Sequence, residues 1–287
     1  GGTTGAGDEQ VLVKPDSGSG HDNAIIDVNI DDFTIEFIDI DLNDLNTENT
    51  NKAILLRGTN NNNIIRNNLM HDKDGNPGGN GPFMIHVIAA GASSDSLYIL
   101  NNIIYNVVET NNDHACGINI NTWAGNAYIY NNTVYNIESA GSKFAIAIRF
   151  GNPSSSNTRV KNNIVAKLTS SHSSGERAYE HGANNGGSGT VDEEYNLSDD
   201  TAHSSYVAAG TGSLTGKTLS EIAFVSVSAG AEDLHIKRAS VCNRAGVSLG
   251  STNKVNIDID GETIFNNWAI GADFIADGPT FLFSMLI

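Results

Sequence analysis

The feature that most constrains this chain is an asparagine pair that returns about every 30 residues inside one nine-residue pattern. Four segments superpose without gaps: IIRNNLMHD from Ile64, YILNNIIYN from Tyr98, YIYNNTVYN from Tyr128 and RVKNNIVAK from Arg159. Their second asparagines, Asn68, Asn102, Asn132 and Asn163, are spaced 34, 30 and 31 residues apart. A degenerate copy, TVDEEYNLS from Thr190, places Glu194 another 31 residues on, and TIEFIDIDL from Thr34 places Ile38 30 residues before Asn68. Self-similarity at this period is the signature of a chain that builds its core by stacking one unit on the next.

The local chemistry says what the unit is. Apolar and polar residues alternate on both sides of the pair, as in short half-buried strands. Asn accepts positive φ more readily than other residues with a Cβ, so one member of each pair can form a sharp bend. Stacked coils would bring equivalent asparagines about 4.8 Å apart, where their amides can hydrogen-bond in a ladder. A third strand precedes each pair: AILLRG from Ala53, FMIHVIAAG from Phe83, CGININ from Cys116 and AIAIRFGN from Ala145. Between coils run loops of variable length, such as His71 to Pro82 and Glu109 to Ala115. The pattern predicts an all-β fold: a single-stranded, right-handed parallel β-helix with three short strands per coil and an Asn ladder. A β-propeller, with about four strands per blade and longer repeats, fits less well. The solenoid is expected over residues 1–208, and residues 209–287 are expected to be a C-terminal cap covering the last open coil. The opening GAGDEQVLVKPD reads as the middle of an earlier coil.

Composition agrees with many tight corners. Asn accounts for 37 residues and Gly for 30, both poor helix formers, whereas only 17% of the chain is charged. The net charge of −17 argues against nucleic acid or an anionic membrane as partner. The apolar run Phe281 to Ile287 is too short to span a bilayer. Cys116 and Cys242 stand far apart, with no second ligand at metal spacing, and are expected to be buried thiols.

The Asn-Asn coils resemble the parallel β-helix repeats of the pectate-lyase-like superfamily. The run DLHIKRASVCNRAG (Asp233 to Gly246), then DIDG (Asp258 to Gly261), then WAIGADF (Trp268 to Phe274) is similar to the tail of many secreted or virion-associated β-helix proteins. Val241 departs from the tail's usual Pro, Arg244 and Ala269 from its Asp, and Phe274 from its Glu. If those acids hold the cap in the family, the cap here is held differently. The resemblance implies the fold and an extracellular, cell-surface or virion setting. It implies no single reaction, because the superfamily includes lyases, hydrolases, tailspikes and adhesins.

Four kinds of site can be read from the residues. A lyase needs a base and cations near a sugar carboxylate, and Arg57, His86 and Arg149 on the strand before the Asn turn are the candidates. Counted back from the second asparagine they lie at 11, 16 and 14 residues, so the three share no common register; the competing reading is solvated strand residues. A hydrolase would need paired acids near mid-stack, and the sequence places none there. Aromatic faces can stack on sugars: Tyr105 and Tyr135 recur at one position of consecutive coils, and with Trp123, His71 and His114 they are the candidate glycan contacts. The same tyrosines can instead stack to hold the coils together. Asp72, Asp74 and Asn76 alternate oxygen ligands before a turn, as a calcium loop does and as a solvated turn also does; Asp258 and Asp260 carry the same two readings.

The leading expectation is a non-catalytic structural or adhesive protein that contacts a polysaccharide or cell-surface glycan, as a homotrimer or within a larger particle. The alternative is a polysaccharide lyase acting on an acidic glycan.

Overall fold

A computed structural model describes residues 23–43, 50–57, 62–74, 81–88, 92–150, 157–173, 175–181, 190–200, 209–250, 254–264 and 268–275. The chain winds into a parallel β-solenoid whose three sheets are each six strands deep. The first sheet stacks β1 (Asn23–Val28), β4 (Thr50–Leu56), β7 (Phe83–Val87), β10 (Ala115–Ile120), β13 (Ala145–Phe150) and β16 (Glu176–His181). The second stacks β2 (Thr34–Glu36), β5 (Asn63–Arg66), β8 (Ser96–Leu100), β11 (Asn126–Tyr130), β14 (Asn157–Lys161) and β17 (Thr190–Glu194). The third stacks β3 (Asp39–Asp41), β6 (Leu69–Asp74), β9 (Ile103–Glu109), β12 (Thr133–Ser139), β15 (Ile164–Ser170) and β18 (Leu197–Ser198).

The core consists of apolar columns, one from each sheet. Ile54, Ile85, Ile118, Ile148 and Tyr179 line up in the first sheet. Ile65, Ile99, Ile129 and Val160 do so in the second, and Met70, Ile104, Val134 and Val165 in the third. All thirteen side chains are excluded from solvent, and each contributes about 1.5–3 kcal/mol by burial.

The two asparagines of each pair do different jobs. The first is the bend: Asn67, Asn101, Asn131 and Asn162 sit at φ between 52° and 58°. The second points inward. Asn68, Asn102, Asn132 and Asn163 each donate from Nδ2 to the next amide's Oδ1 at 2.9–3.0 Å. That oxygen also accepts the backbone N–H of the preceding rung. The ladder ends on Asn196, not at Glu194 as the repeat spacing predicts. Glu194 pairs with Lys161, so the sixth coil is longer by two residues and Tyr195 takes the bend at φ 54°. At the other end Phe37 bends and Ile38 occupies the ladder position.

The C-terminal region does more than cover the last coil. Leu214 bridges Leu197, and Tyr195 donates its N–H to the Thr211 carbonyl, so a short segment here continues the stack. A helical turn follows, α1 (Leu219–Ile222), with a Thr218–Glu221 capping box, and then an antiparallel hairpin of β19 (Phe224–Ser228) and β20 (Ala231–Ile236). The rest runs back along the outside of the corner between the second and third sheets. It is gripped there by the outward side chains of the bend asparagines. Asn162 exchanges two hydrogen bonds with Val247, Asn101 donates to the Ile257 carbonyl and Asn67 to that of Asp258. Cys116 and Cys242 are buried free thiols.

Candidate functional site

The first sheet brings two of the three lyase candidates together. His86 and Arg149 both pair with Asn119, one strand to either side, so they stand in one column about 10 Å apart. Their unequal distances from the Asn pair arise in the connections to the second sheet, which differ in length while the strand register stays constant. Arg57 is not in that column; Leu55 fills its rung. Arg57 instead reaches Asp27 at 3.0 Å at the N-terminal end of the stack. The column is also poorly accessible. His86 and Asn119 are 9% and 3% exposed, and Arg149 faces Glu180, which Arg177 also binds.

The candidate aromatic platform is covered. Tyr105 and Tyr135 are neighbours in register, but the hairpin packs over them, with Phe224 edge-on to Tyr135 at 5.9 Å. Trp123 is 1% exposed in the solenoid core and donates its indole N–H to the Asn126 carbonyl. None of the three presents a ring face to a sugar. His114 stacks on Phe144 at 5.1 Å, and His172 meets Phe144 edge-on at 5.0 Å. The His114 Nδ1 accepts the Phe144 N–H. Burial, with Arg149, Lys143 and Arg177 acting on it, lowers the His114 pKa.

The open site lies on the third sheet. Four residues after the ladder position, each of four coils carries one more left-handed residue: Asp72, Asn106, Asn136 and Lys167, with φ of 55–59°. The register is the same on both sides of these positions, Tyr105↔Tyr135 and Val107↔Ile137, so the same left-handed bend recurs in neighbouring coils and stacks these residues in one row. The first three form a second, external ladder. Asn136 donates to Asn106 at 2.6 Å, and Asn106 donates to Asp72 at 2.8 Å and to Glu232 of the hairpin at 3.0 Å. Where ladder and hairpin meet there is a groove of about 200 Å³, lined by Asn43, Asp74, Lys73, Val108 and Val227 as well.

His71 closes one side of this region. Its Nδ1 binds Asp72 at 2.8 Å, its Nε2 binds Asp39 at 2.9 Å, and its ring stacks on Tyr105 at 4.9 Å. Burial alone lowers the ring's pKa, but the two carboxylates outweigh it and raise it to about 9. Asp72 therefore places one oxygen on His71 and the other on Asn106; with Asp74, which lines the groove, and Asn76 it is the expected calcium loop. Asn76 lies outside the described residues. Sequence reasoning missed Asn106, Asn136 and Lys167. The signal for Asn106 and Asn136 was the last asparagine of the Ile-x-Asn-Asn-Ile-x-x-Asn repeat, four residues after the ladder position, where the next coil has Lys167.

Comparison with protein-family models, curated proteins and solved structures finds no match to the chain.

Proposed function

We propose that this protein is an extracellular or virion-surface structural module that binds a glycan without cleaving it, through the groove between the external ladder and the hairpin. The observation that carries this reading is the groove's lining. Planar amides and carboxylates at Asn43, Asp72, Asp74, Asn136 and Glu232, with Lys73 and Lys167 beside them and Val108 and Val227 as apolar walls, form the mixed donor, acceptor and apolar set that sugar hydroxyls and C–H faces require. A volume near 200 Å³ accommodates about one sugar ring. The three carboxylates against two ammonium groups favour a neutral sugar over a uronate. Support for the setting, for assembly as a homotrimer or within a larger particle, and for membership of the pectate-lyase-like superfamily comes from the Asn-Asn coils and the tail motifs. Against a lyase stand the burial of His86 and the engagement of Arg149 by Glu180.

A glycan array followed by calorimetry on the hits tests the reading. Asn43→Ala with Asp74→Ala, both exposed positions, is expected to weaken binding about 10-fold or more with unchanged thermal stability, since at least two hydrogen bonds are lost. Unaltered affinity in the double variant, or no glycan bound at all, removes the proposal. Turnover of a uronate polysaccharide, seen as ultraviolet absorbance of an unsaturated product and lost in Arg149→Ala, would replace it with the lyase.

A further inference from the structure

The three tail motifs are separate in sequence and meet at one point. β20 supplies Asp233 and His235, the DIDG turn supplies Asp258 and Asp260, and the last described segment supplies Asp273. The Ile259 N–H donates to the Ala272 carbonyl, and the Ile236 N–H donates to Asp273 Oδ2 at 2.8 Å, so backbone bonds fix the segments against one another. Ligand atoms of His235, Asp260 and Asp273 all lie within 4.8 Å of one another.

Two further observations indicate that this cluster lacks a partner. Asp258 is wholly buried; its Oδ1 accepts the N–H groups of Asp260 and Glu262, yet its Oδ2 has no hydrogen-bond partner. The charged groups acting on it are Asp260, Asp273 and Glu262, all of its own sign. An unpaired oxygen in that position is costly unless a cation or a proton satisfies it. The second observation is His235. Asp233 holds Nδ1 at 2.5 Å, while the buried Nε2 lies 3.2 Å from Asp260 Oδ2 without the alignment of a hydrogen bond. A carboxylate on Nδ1 that leaves Nε2 facing other carboxylates is how proteins orient a histidine ligand. The Asp41, His71 and Asp72 cluster differs on this point, because both His71 nitrogens make aligned hydrogen bonds.

We propose that His235 Nε2, Asp260 and Asp273, with Asp258 beside them, bind a divalent cation of the Zn²⁺ or Mn²⁺ type, which ties the three C-terminal segments together along the flank of the solenoid. One imidazole with two or three carboxylates suits these ions better than Ca²⁺, which takes oxygen ligands. The segments it joins are those that touch the coils: the Asp258 carbonyl accepts from Asn67, and the Ala272 N–H donates to Thr133 Oγ1. The ion would fasten the flank to coils well apart in the stack.

Calorimetric titration of chelator-treated protein with Zn²⁺, Mn²⁺ and Ca²⁺ in turn tests this. The expected result is one equivalent of Zn²⁺ or Mn²⁺ bound at least 10-fold more tightly than Ca²⁺. At 100 times its dissociation constant the ion should raise the unfolding midpoint by about 5 °C. Asp260→Asn and His235→Gln, each at a half-exposed position, should each weaken binding at least 10-fold, and His71→Gln should leave it unchanged. Absence of saturable binding by Zn²⁺ and Mn²⁺ overturns the proposal, as does binding that survives both Asp260→Asn and His235→Gln. Either result would mean that a protonated His235 bridging Asp233 and Asp260 is the complete interaction.

Discussion

Replacing Asn132 by Ala while replacing its neighbour Asn131 by Gly separates the two roles of the repeated pair. Asn132 lies mid-ladder and is fully buried. Its Oδ1 accepts the Asn102 N–H and the Asn102 Nδ2, both at 3.0 Å. Its Nδ2 donates to the carbonyls of Ile99 and Tyr130 and to Asn163 Oδ1. In the alanine variant Asn102 Nδ2 keeps Ile65, and Asn163 Oδ1 keeps the backbone N–H of residue 132. The Asn102 backbone N–H has no other acceptor and becomes a buried orphan. One orphaned donor costs about 1–3 kcal/mol and the four remaining lost bonds roughly 0.5–1 kcal/mol each, about 3–7 kcal/mol in all. Asn131 has φ 55° and no partner for its side chain on the flank among the described residues. Glycine keeps that backbone at a cost of about 1 kcal/mol or less. A solenoid need not unfold in one step, so native-state hydrogen exchange of the amides in β8, β11 and β14 is the appropriate assay, with urea unfolding as a check. The reasoning is refuted if Asn132→Ala loses less than about 1 kcal/mol of protection, or no more than Asn131→Gly.

Stability should also depend on pH through His71. Its folded pKa of about 9 exceeds the ordinary 6.5, so its stabilisation is fully present below about pH 6.5 and disappears as pH rises through about 9. Discounted for the partly exposed Asp39 and Asp72, the effect is about 2 kcal/mol; thermal melts across that window should show it, and a His71→Gln melt that retains the same pH dependence would disprove the assignment. Gly117→Ala places a Cβ 2.7 Å from the Ala147 carbonyl oxygen and 2.9 Å from Val134 Cγ1, and overpacking of this kind costs about 1–3 kcal/mol. A urea midpoint unchanged from the parent would show that the coil relaxes at that position.

What could be read from the sequence was whatever the repeat encodes locally. The Asn pair, the flanking alternation and the third strand each lie within a few residues of one another, and the ladder follows because equivalent residues stack. Two things needed the coordinates. The join between the first and second sheets varies in length, so counting from Asn102 and Asn163 separated His86 from Arg149, which the strands place in one column. Exposure was also illegible, because what covers Tyr105 and Tyr135 is a hairpin nearly a hundred residues further on. An outward position in a coil is exposed only if no distant segment lies on it, and local periodicity carries no information about that. The sixth coil failed for a third reason: two extra residues moved the ladder to Asn196, and a fixed spacing cannot anticipate an insertion.

A solenoid built from near-identical coils presents near-identical surfaces along its length, so the repeat alone cannot distinguish one site from another. In this protein the distinction comes from the C-terminal flank. The bend asparagines face outward on four coils as a row of equivalent amides, and among the described residues the flank bonds to Asn67, Asn101 and Asn162. The hairpin then crosses the external ladder at Asn106, where Glu232 binds the same amide that holds Asp72, and the groove exists only at this crossing. The ladder without the hairpin would be a flat polar strip, and the hairpin without the ladder would have no amides to close against. Deleting Glu232's contact by Glu232→Ala should therefore loosen the groove while leaving the internal ladder and the core columns intact. Hydrogen exchange would register this as lost protection in β19 and β20 with none lost in β8 or β11. If both regions lose protection equally, flank and solenoid are one cooperative unit and the groove is a property of the whole stack.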